Sequence, residues 1–201
     1  MTAQPDPFPA LPELGLLERA VNYTRGSLAA VPGTDPRAPT PCAGWDLTDL
    51  LVHMDDSLRV IEQAGRVREV ALAPDGLGPA DGAAPRTATG LVAAIRDRAC
   101  ALLTAWMAHR GERLITVAGS PLRAGVLVAA GALEITVHGD DLARACGADH
   151  PLPEPLASDL LAYLPLLVQP GDRPVRFAPA LATPSGAPPS TRLLAQLGRP
   201  A

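Results

Sequence analysis

The sequence predicts an all-α protein, a four-helix bundle with a C-terminal extension, and three observations carry that reading. Prolines are segregated: the windows 13–31, 42–73, 86–120 and 122–150 contain none, while eleven fall from Pro151 onward. A proline inside a helix costs roughly 3 kcal/mol, so windows this long are where helices can lie. Each window also repeats its apolar residues at three- and four-residue steps, the period of one helix face. The third observation is bulk composition. A chain of 201 residues, 47% hydrophobic and 19% charged, is large enough for one domain with a sizeable core.

The first helix is expected from Leu14, Leu17, Val21, Thr24 and Leu28. In the second, Leu47, Leu50, Leu51, Met54, Leu58 and Ile61 form one stripe, and Asp46 is placed to cap its free N–H groups. The third runs from about Thr87 to Ala108, with Leu91, Ile95, Ala99, Leu102, Leu103 and Trp106 inward and Gly111 beyond its end. The fourth is expected to start at Pro121, a residue suited to a first helical turn, and to stop at Gly147. Its core face reads Val126, Ala130, Leu133 and Val137.

Between the second and third helices, APDGLGPADGAAPR is loop by its proline and glycine content. ERLITVAGS, residues 112–120, fits either a short strand or an extended crossing. A shorter helix is expected over 154–168, and the remainder reads as an extended tail with a helical turn or two from Thr191 to Leu197. The expected organisation is therefore a bundle over residues 1–150 and, over 151–201, a C-terminal helix and tail packed on it.

Several function classes are disfavoured. A net charge of −4 and six aromatic residues supply neither the basic patch nor the stacking platform of a nucleic-acid binder. No apolar run reaches the ~20 residues of a membrane span. MTAQPDPFPALPELG lacks the basic-then-apolar layout of a signal peptide, so a cytoplasmic location is expected. Cys42, Cys100 and Cys146 are scattered and form no CxxC pair, which argues against a disulfide framework or a thiolate zinc site. All 17 basic residues are arginine, and with abundant alanine, glycine and proline this points to a GC-rich, actinobacterial source.

One constellation can carry chemistry. Glu134 and His138 lie four apart on the fourth helix and so project from one face, with Asp141 on the same side. Of the four histidines, His109 and His150 adjoin helix ends in polar surroundings and are expected to be solvated. His53 lies inside the second helix, on the face of Leu50, Ser57 and Val60. His53, Glu134 and His138 would make a two-histidine, one-carboxylate set, whose three ligands leave positions open as in a catalytic zinc site. Such ligands also accept iron, nickel or manganese. The plain alternative is that an E-x-x-x-H pair arises by chance and that His53 is merely packed or solvated. A di-iron bundle would need two E-x-x-H pairs, and the chain has none.

Two segments, PTPCAGWDLTDLLVH (39–53) and LEITVHGDDLARACG (133–147), resemble the mycothiol-dependent maleylpyruvate isomerase family, part of the DinB-like group of metal-binding bundles. FAPALATPSGAPPSTRLLAQLGRP is similar to the tail of that family's shorter members. The resemblance implies a DinB-like four-helix bundle whose metal ligands are His53, Glu134 and His138. It implies a divalent metal, zinc by expectation, and mycothiol as a thiol co-substrate. Asp141 would then orient a ligand histidine or hydrogen-bond the thiol, with an ordinary pairing to Arg144 as the alternative. Trp45 would wall the pocket or simply anchor its turn, and Cys42 would stand near the metal or pack as a small apolar residue. Arg144 would meet an anionic substrate or the cofactor.

Two departures bear on substrate. Asp140 stands where the family commonly has tryptophan, and would change the pocket's polarity or face solvent. Only about 50 residues follow Gly147, where the true isomerases carry a sterol-carrier-like domain, so the resemblance does not carry maleylpyruvate over as the substrate. The first functional expectation is a metal- and mycothiol-dependent S-transferase or isomerase acting on a small electrophile, as a monomer or homodimer. A second is a non-catalytic metal-binding bundle serving as a binding or scaffold protein. A third is a metal hydrolase with Asp140 or Asp141 as base. Specificity would lie in the 71–86 loop, the 112–121 crossing and the tail.

Overall fold

Four long helices fill the four proline-free windows: α1 (Leu14–Leu28), α2 (Leu47–Val67), α3 (Ala88–Met107) and α4 (Ala124–Ala145). The computed structural model describes residues 11–70, 87–108, 114–173 and 176–200. The 71–86 loop, His109 and Gly111 lie outside those residues. Three short strands, β1 (Glu69–Val70), β2 (Leu114–Val117) and β3 (Ser120–Arg123), sit beside the bundle, and α5 (Glu154–Leu167) and α6 (Pro189–Gln196) follow it. Every residue expected on the α2 stripe is buried, as are Leu17, Val21, Thr24 and Leu28 of α1. The all-α bundle is therefore observed, with a small sheet added.

The approach to α2 shows how local chemistry aims the chain. Trp45 donates its N–H to the Cys42 carbonyl at 3.1 Å, closing a turn in which Gly44 takes φ +79°. A side chain there would be strained, so glycine permits the turn. Asp46 then caps α2: its carboxylate accepts from the Asp49 N–H at 3.0 Å, and the Asp49 carboxylate accepts from the Asp46 N–H at 3.1 Å. The reciprocal cap fixes where α2 begins and hence where His53, about two turns on, points.

β1 runs parallel to β2, and β2 pairs antiparallel with β3 in the order β1-β2-β3. Residues 114–117 are thus a strand, which decides between the two readings of that segment. Ala118 (φ +48°) and Gly119 (φ +78°) form the two-residue turn between β2 and β3, both in the left-handed conformation that such hairpins require. Pro121 is not in the first turn of α4. It lies in β3, an edge strand that tolerates a residue without an N–H, and the helix begins at Ala124.

The α4 stripe is also displaced from expectation. Val126 and Ala130 are only half-buried, whereas Val128, Ala129 and Ala132 are fully covered. From Gly131 to Ala143 every residue but Glu134 is buried, because neighbours pack around most of the helix. Glycines let them in. A Cβ at Gly131 would stand 3.0 Å from Ile61 of α2, and one at Gly139 would stand 2.7 Å from the Thr24 hydroxyl of α1. That hydroxyl is held in place, donating to the Ile135 carbonyl at 2.6 Å.

Downstream, α5 packs against α1 and α4, and α6 against α5. Leu193, Leu194 and Leu197 are buried, and Glu154 accepts from the Ser190 N–H and hydroxyl at 3.0 and 2.6 Å. His150 is not solvated as expected. Its ring stacks on Tyr23 at 4.7 Å, and Nε2 donates to the Tyr23 carbonyl at 2.9 Å. Among the described residues no helix is long and apolar enough to cross a membrane.

The α1–α4 approach gives a direct test. Gly139→Ala should destabilise the protein by about 1–2 kcal/mol, overpacking against Thr24 outweighing the gain in helix propensity. Urea unfolding would read this as a lower midpoint at unchanged m-value; an unaltered midpoint would mean that Thr24 yields freely.

Candidate metal centre

The site forms where α2 faces α4. His53 and Ser57 stand one turn apart on α2, and Glu134 and His138 one turn apart on α4, so each pair projects toward the other. The His53 Nε2 atom lies 2.7 Å from Glu134 Oε1, and the His138 Nε2 atom lies 3.5 Å from the same oxygen. The Ser57 hydroxyl donates to that oxygen at 2.9 Å. Donor atoms of His53, Glu134 and His138 all fall within 4.8 Å of one another. Zinc bonds of about 2.0 Å at a tetrahedral angle separate neighbouring donors by about 3.3 Å, so this set needs only small side-chain adjustment to share a cation.

The donor chemistry fits as well. His138 Nδ1 donates to Asp141 Oδ2 at 2.9 Å, which leaves Nε2 as the nitrogen facing Glu134. A carboxylate behind a histidine in this way fixes both tautomer and ring orientation of a metal ligand. The centre opens on one side: His53 and Glu134 side chains are 36% and 32% exposed, against 10% for His138. Trp45 bounds it, its ring centroid 4.7 Å from that of His53 and 6.3 Å from that of His138. The capped turn delivers the Trp45 ring to this position.

Asp141 is fully buried, and its partner is not Arg144. Arg199, near the end of the chain, forks onto it: Nε lies 2.8 Å from Oδ1 and Nη2 lies 2.7 Å from Oδ2. Arg144 instead pairs with Asp140 at 2.7 Å and donates to the Pro200 carbonyl at 2.6 Å. Asp140 consequently neither faces solvent nor enters the cluster of His53, Glu134 and His138. Cys42 is no simple packing residue either. Its thiol donates to Asp141 Oδ2 at 3.3 Å and lies 3.8 Å from His138 Nδ1.

Charge follows this wiring. Burial pushes the Glu134 carboxyl up, but the His138 charge and the His53 hydrogen bond overcome it and hold the group at about 2. Burial alone would lower His138; Glu134 and the Asp141 hydrogen bond outweigh it and raise the imidazole to about 10. Asp141, also pushed up by burial, is held at about 2 by the His138 and Arg199 hydrogen bonds. Asp140 is raised by burial, with Arg144 opposing.

The family model for the mycothiol maleylpyruvate isomerase N-terminal domain matches residues 17–143. The chain belongs to this family. No curated protein and no solved structure matches. The match spans most of α1 through most of α4, and so takes in Cys42, Trp45, His53, Glu134, His138 and Asp141. Arg144 and Arg199 lie beyond it.

Two hydrogen-bonding partners of this cluster are not among the candidate site residues that the sequence suggests. Ser57 was findable, one turn from His53 with a hydroxyl to offer. Arg199 had no local signal, because it reaches Asp141 across 58 positions of sequence.

With the His138 imidazole raised to about 10 by Glu134 and the Asp141 hydrogen bond, and with ligation needing the neutral ring, a cation entering this cluster should expel a proton. Zinc affinity should therefore rise about tenfold per pH unit between roughly pH 7 and 9, with close to one proton released per ion. Calorimetry in buffers of different ionisation enthalpy measures the release. Binding with no proton released would show that His138 is already neutral or does not ligate.

Proposed function

We propose that this protein holds one divalent cation, zinc by preference, on His53, Glu134 and His138, and uses it with mycothiol to modify a small electrophile. The reaction is S-transfer to the electrophile, or cis–trans isomerisation by reversible thiol addition. The observation that carries this reading is the convergence of three donor atoms from α2 and α4 inside the segment that the mycothiol-linked family model matches. A bound divalent cation lowers the pKa of a thiol as it does that of water, supplying thiolate at neutral pH.

The chain's own residues do the rest. Ser57 fixes the Glu134 carboxylate by donating to Oε1, and Asp141 fixes the His138 ring from behind. Trp45 gives the opening one apolar wall, which shields a thiol from water and leaves the His53–Glu134 side for entry. Hydrolysis by bound water is the weaker reading. Asp141 is committed to His138 and Arg199, and Asp140 to Arg144, so neither carboxylate is free to act as base.

Metal content of the wild-type protein and of His138→Ala is the first measurement. Near-stoichiometric metal in the wild type and its loss in a folded variant is expected. The zinc-loaded protein should then bind mycothiol and either conjugate it to a thiol-reactive electrophile, with loss of free thiol, or isomerise an activated double bond with the thiol regenerated. A loaded protein that shows no heat or competition with mycothiol would overturn the assignment and leave a metal-binding bundle without thiol chemistry.

A further inference from the structure

His138 is shared by two sets of metal-ligand atoms, one on each ring nitrogen. Nε2 faces Glu134 and His53, as described. Nδ1 faces Asp141 Oδ2 at 2.9 Å and Cys42 Sγ at 3.8 Å, and Cys42 Sγ lies 3.3 Å from that same carboxylate oxygen. Cys42, His138 and Asp141 thus form a second cluster within 4.8 Å. Its spacing suits a cation: bonds of about 2.0 Å to nitrogen and 2.3 Å to sulfur place tetrahedral neighbours about 3.5 Å apart. By donor type it should compete well, because a thiolate is the ligand that zinc and softer ions favour.

This second set already contains a cation. The Arg199 guanidinium sits on it, Nε and Nη2 on the two Asp141 oxygens and Nη2 3.6 Å from Cys42 Sγ. Its side chain is 14% exposed and its bond to the carboxylate is two-pronged, a geometry that a point charge does not reproduce. Guanidinium also keeps its proton at any pH the protein survives, so the charge is permanent. Among the described residues no guanidinium is bonded to His53, Glu134 or His138.

We propose that Arg199 is a built-in cation that bars a metal ion from the Cys42–His138–Asp141 set and so directs it to His53, Glu134 and His138. The inference rests on the reading that the latter three ligate. An ion entering the cysteine side would have to expel the guanidinium from a buried carboxylate and take Cys42 as thiolate, its proton passing to solvent. An ion entering the other side displaces no guanidinium. Arg199 is in this sense a positioning residue, acting on the location of the metal through the two carboxylate oxygens it occupies. The end of the chain would thereby protect the thiol at Cys42 from being consumed as a ligand.

Cobalt(II) tests this with the full-length chain, since coordination by sulfur adds a sulfur-to-cobalt charge-transfer band that nitrogen and oxygen ligands lack. Wild type should bind cobalt without that band. Arg199→Gln, which keeps a hydrogen bond to Asp141 but removes the charge, should gain it, and Arg199→Gln/Cys42→Ser should lose it again. A folded Arg199→Gln protein with the wild-type spectrum, or a wild type that already shows the band, would overturn the proposal. Cys42→Ser in the otherwise unchanged chain guards against a misfolded Arg199 variant: its cobalt spectrum should match wild type, and any shift would make Cys42 a native ligand. The two readings fail separately. Cobalt bound only by Arg199→Gln, with the band, sustains the barring of the cysteine side by Arg199 but sinks the His53–Glu134–His138 centre and with it the directing role; identical band-free binding by both proteins sustains the centre and sinks the barring.

Discussion

Everything in this fold is arranged around the need to bury a helix that carries four ionisable side chains. α4 is covered on most sides, yet Glu134, His138, Asp140 and Asp141 fall within eight consecutive residues of it. Breaking a buried ion pair by removing one partner typically costs about 3–5 kcal/mol, so each of these groups must be met by something. The neighbours meet them in sequence around the helix. α2 brings His53 and Ser57 to Glu134, the C-terminal segment brings Arg199 to Asp141, and α4 supplies its own Arg144 to Asp140. Gly131 and Gly139 allow this closeness by leaving room where Ile61 and Thr24 press in.

The same constraint explains what was legible in the sequence. Windows without proline and stripes at helical spacing report local decisions, and α1, α2 and α3 stand where those signals put them. Asp46 was readable as a cap because its chemistry is exhausted within three residues. The failures are cases in which a partner, near or far along the chain, overrides the helical pattern. Pro121 belongs to an edge strand because β2 lies beside it, and Val126 yields to Val128 because α4 is buried from several directions at once. His150 is half-buried against Tyr23, which lies 127 positions away.

The candidate centre divides along the same line. His53, Glu134 and His138 were recognisable by residue type and by the i, i+4 spacing of the last two, and the structure brings them together. The supporting groups were less visible. Asp141 was expected to orient a ligand histidine, bind the thiol or pair with Arg144; its carboxylate lies on His138 Nδ1, and Arg144 is taken by Asp140. Cys42 and Trp45 arrive together because the Gly44 turn and the Asp46 cap deliver both to one end of α2, one ring against His53 and one thiol against Asp141. Two short-range devices therefore place two side chains at a site built mostly from long-range contacts.

The extent of the family match and the extent of the site's electrostatics do not coincide. Residues 17–143 contain every donor atom of both clusters on His138, but the cation that balances Asp141 comes from Arg199. A bundle ending at Gly147 would present His138 with a carboxylate whose only remaining charged partner among the described residues is His138 itself, together with a thiol. Imidazole, thiol and carboxylate in that arrangement form a competing ligand set. With Arg199 in place, one face of the ring is closed by a guanidinium and the other is open toward His53 and Glu134. The asymmetry of a single histidine, more than the number of ligands around it, distinguishes a centre with one defined entry side from a diffuse cluster of donors.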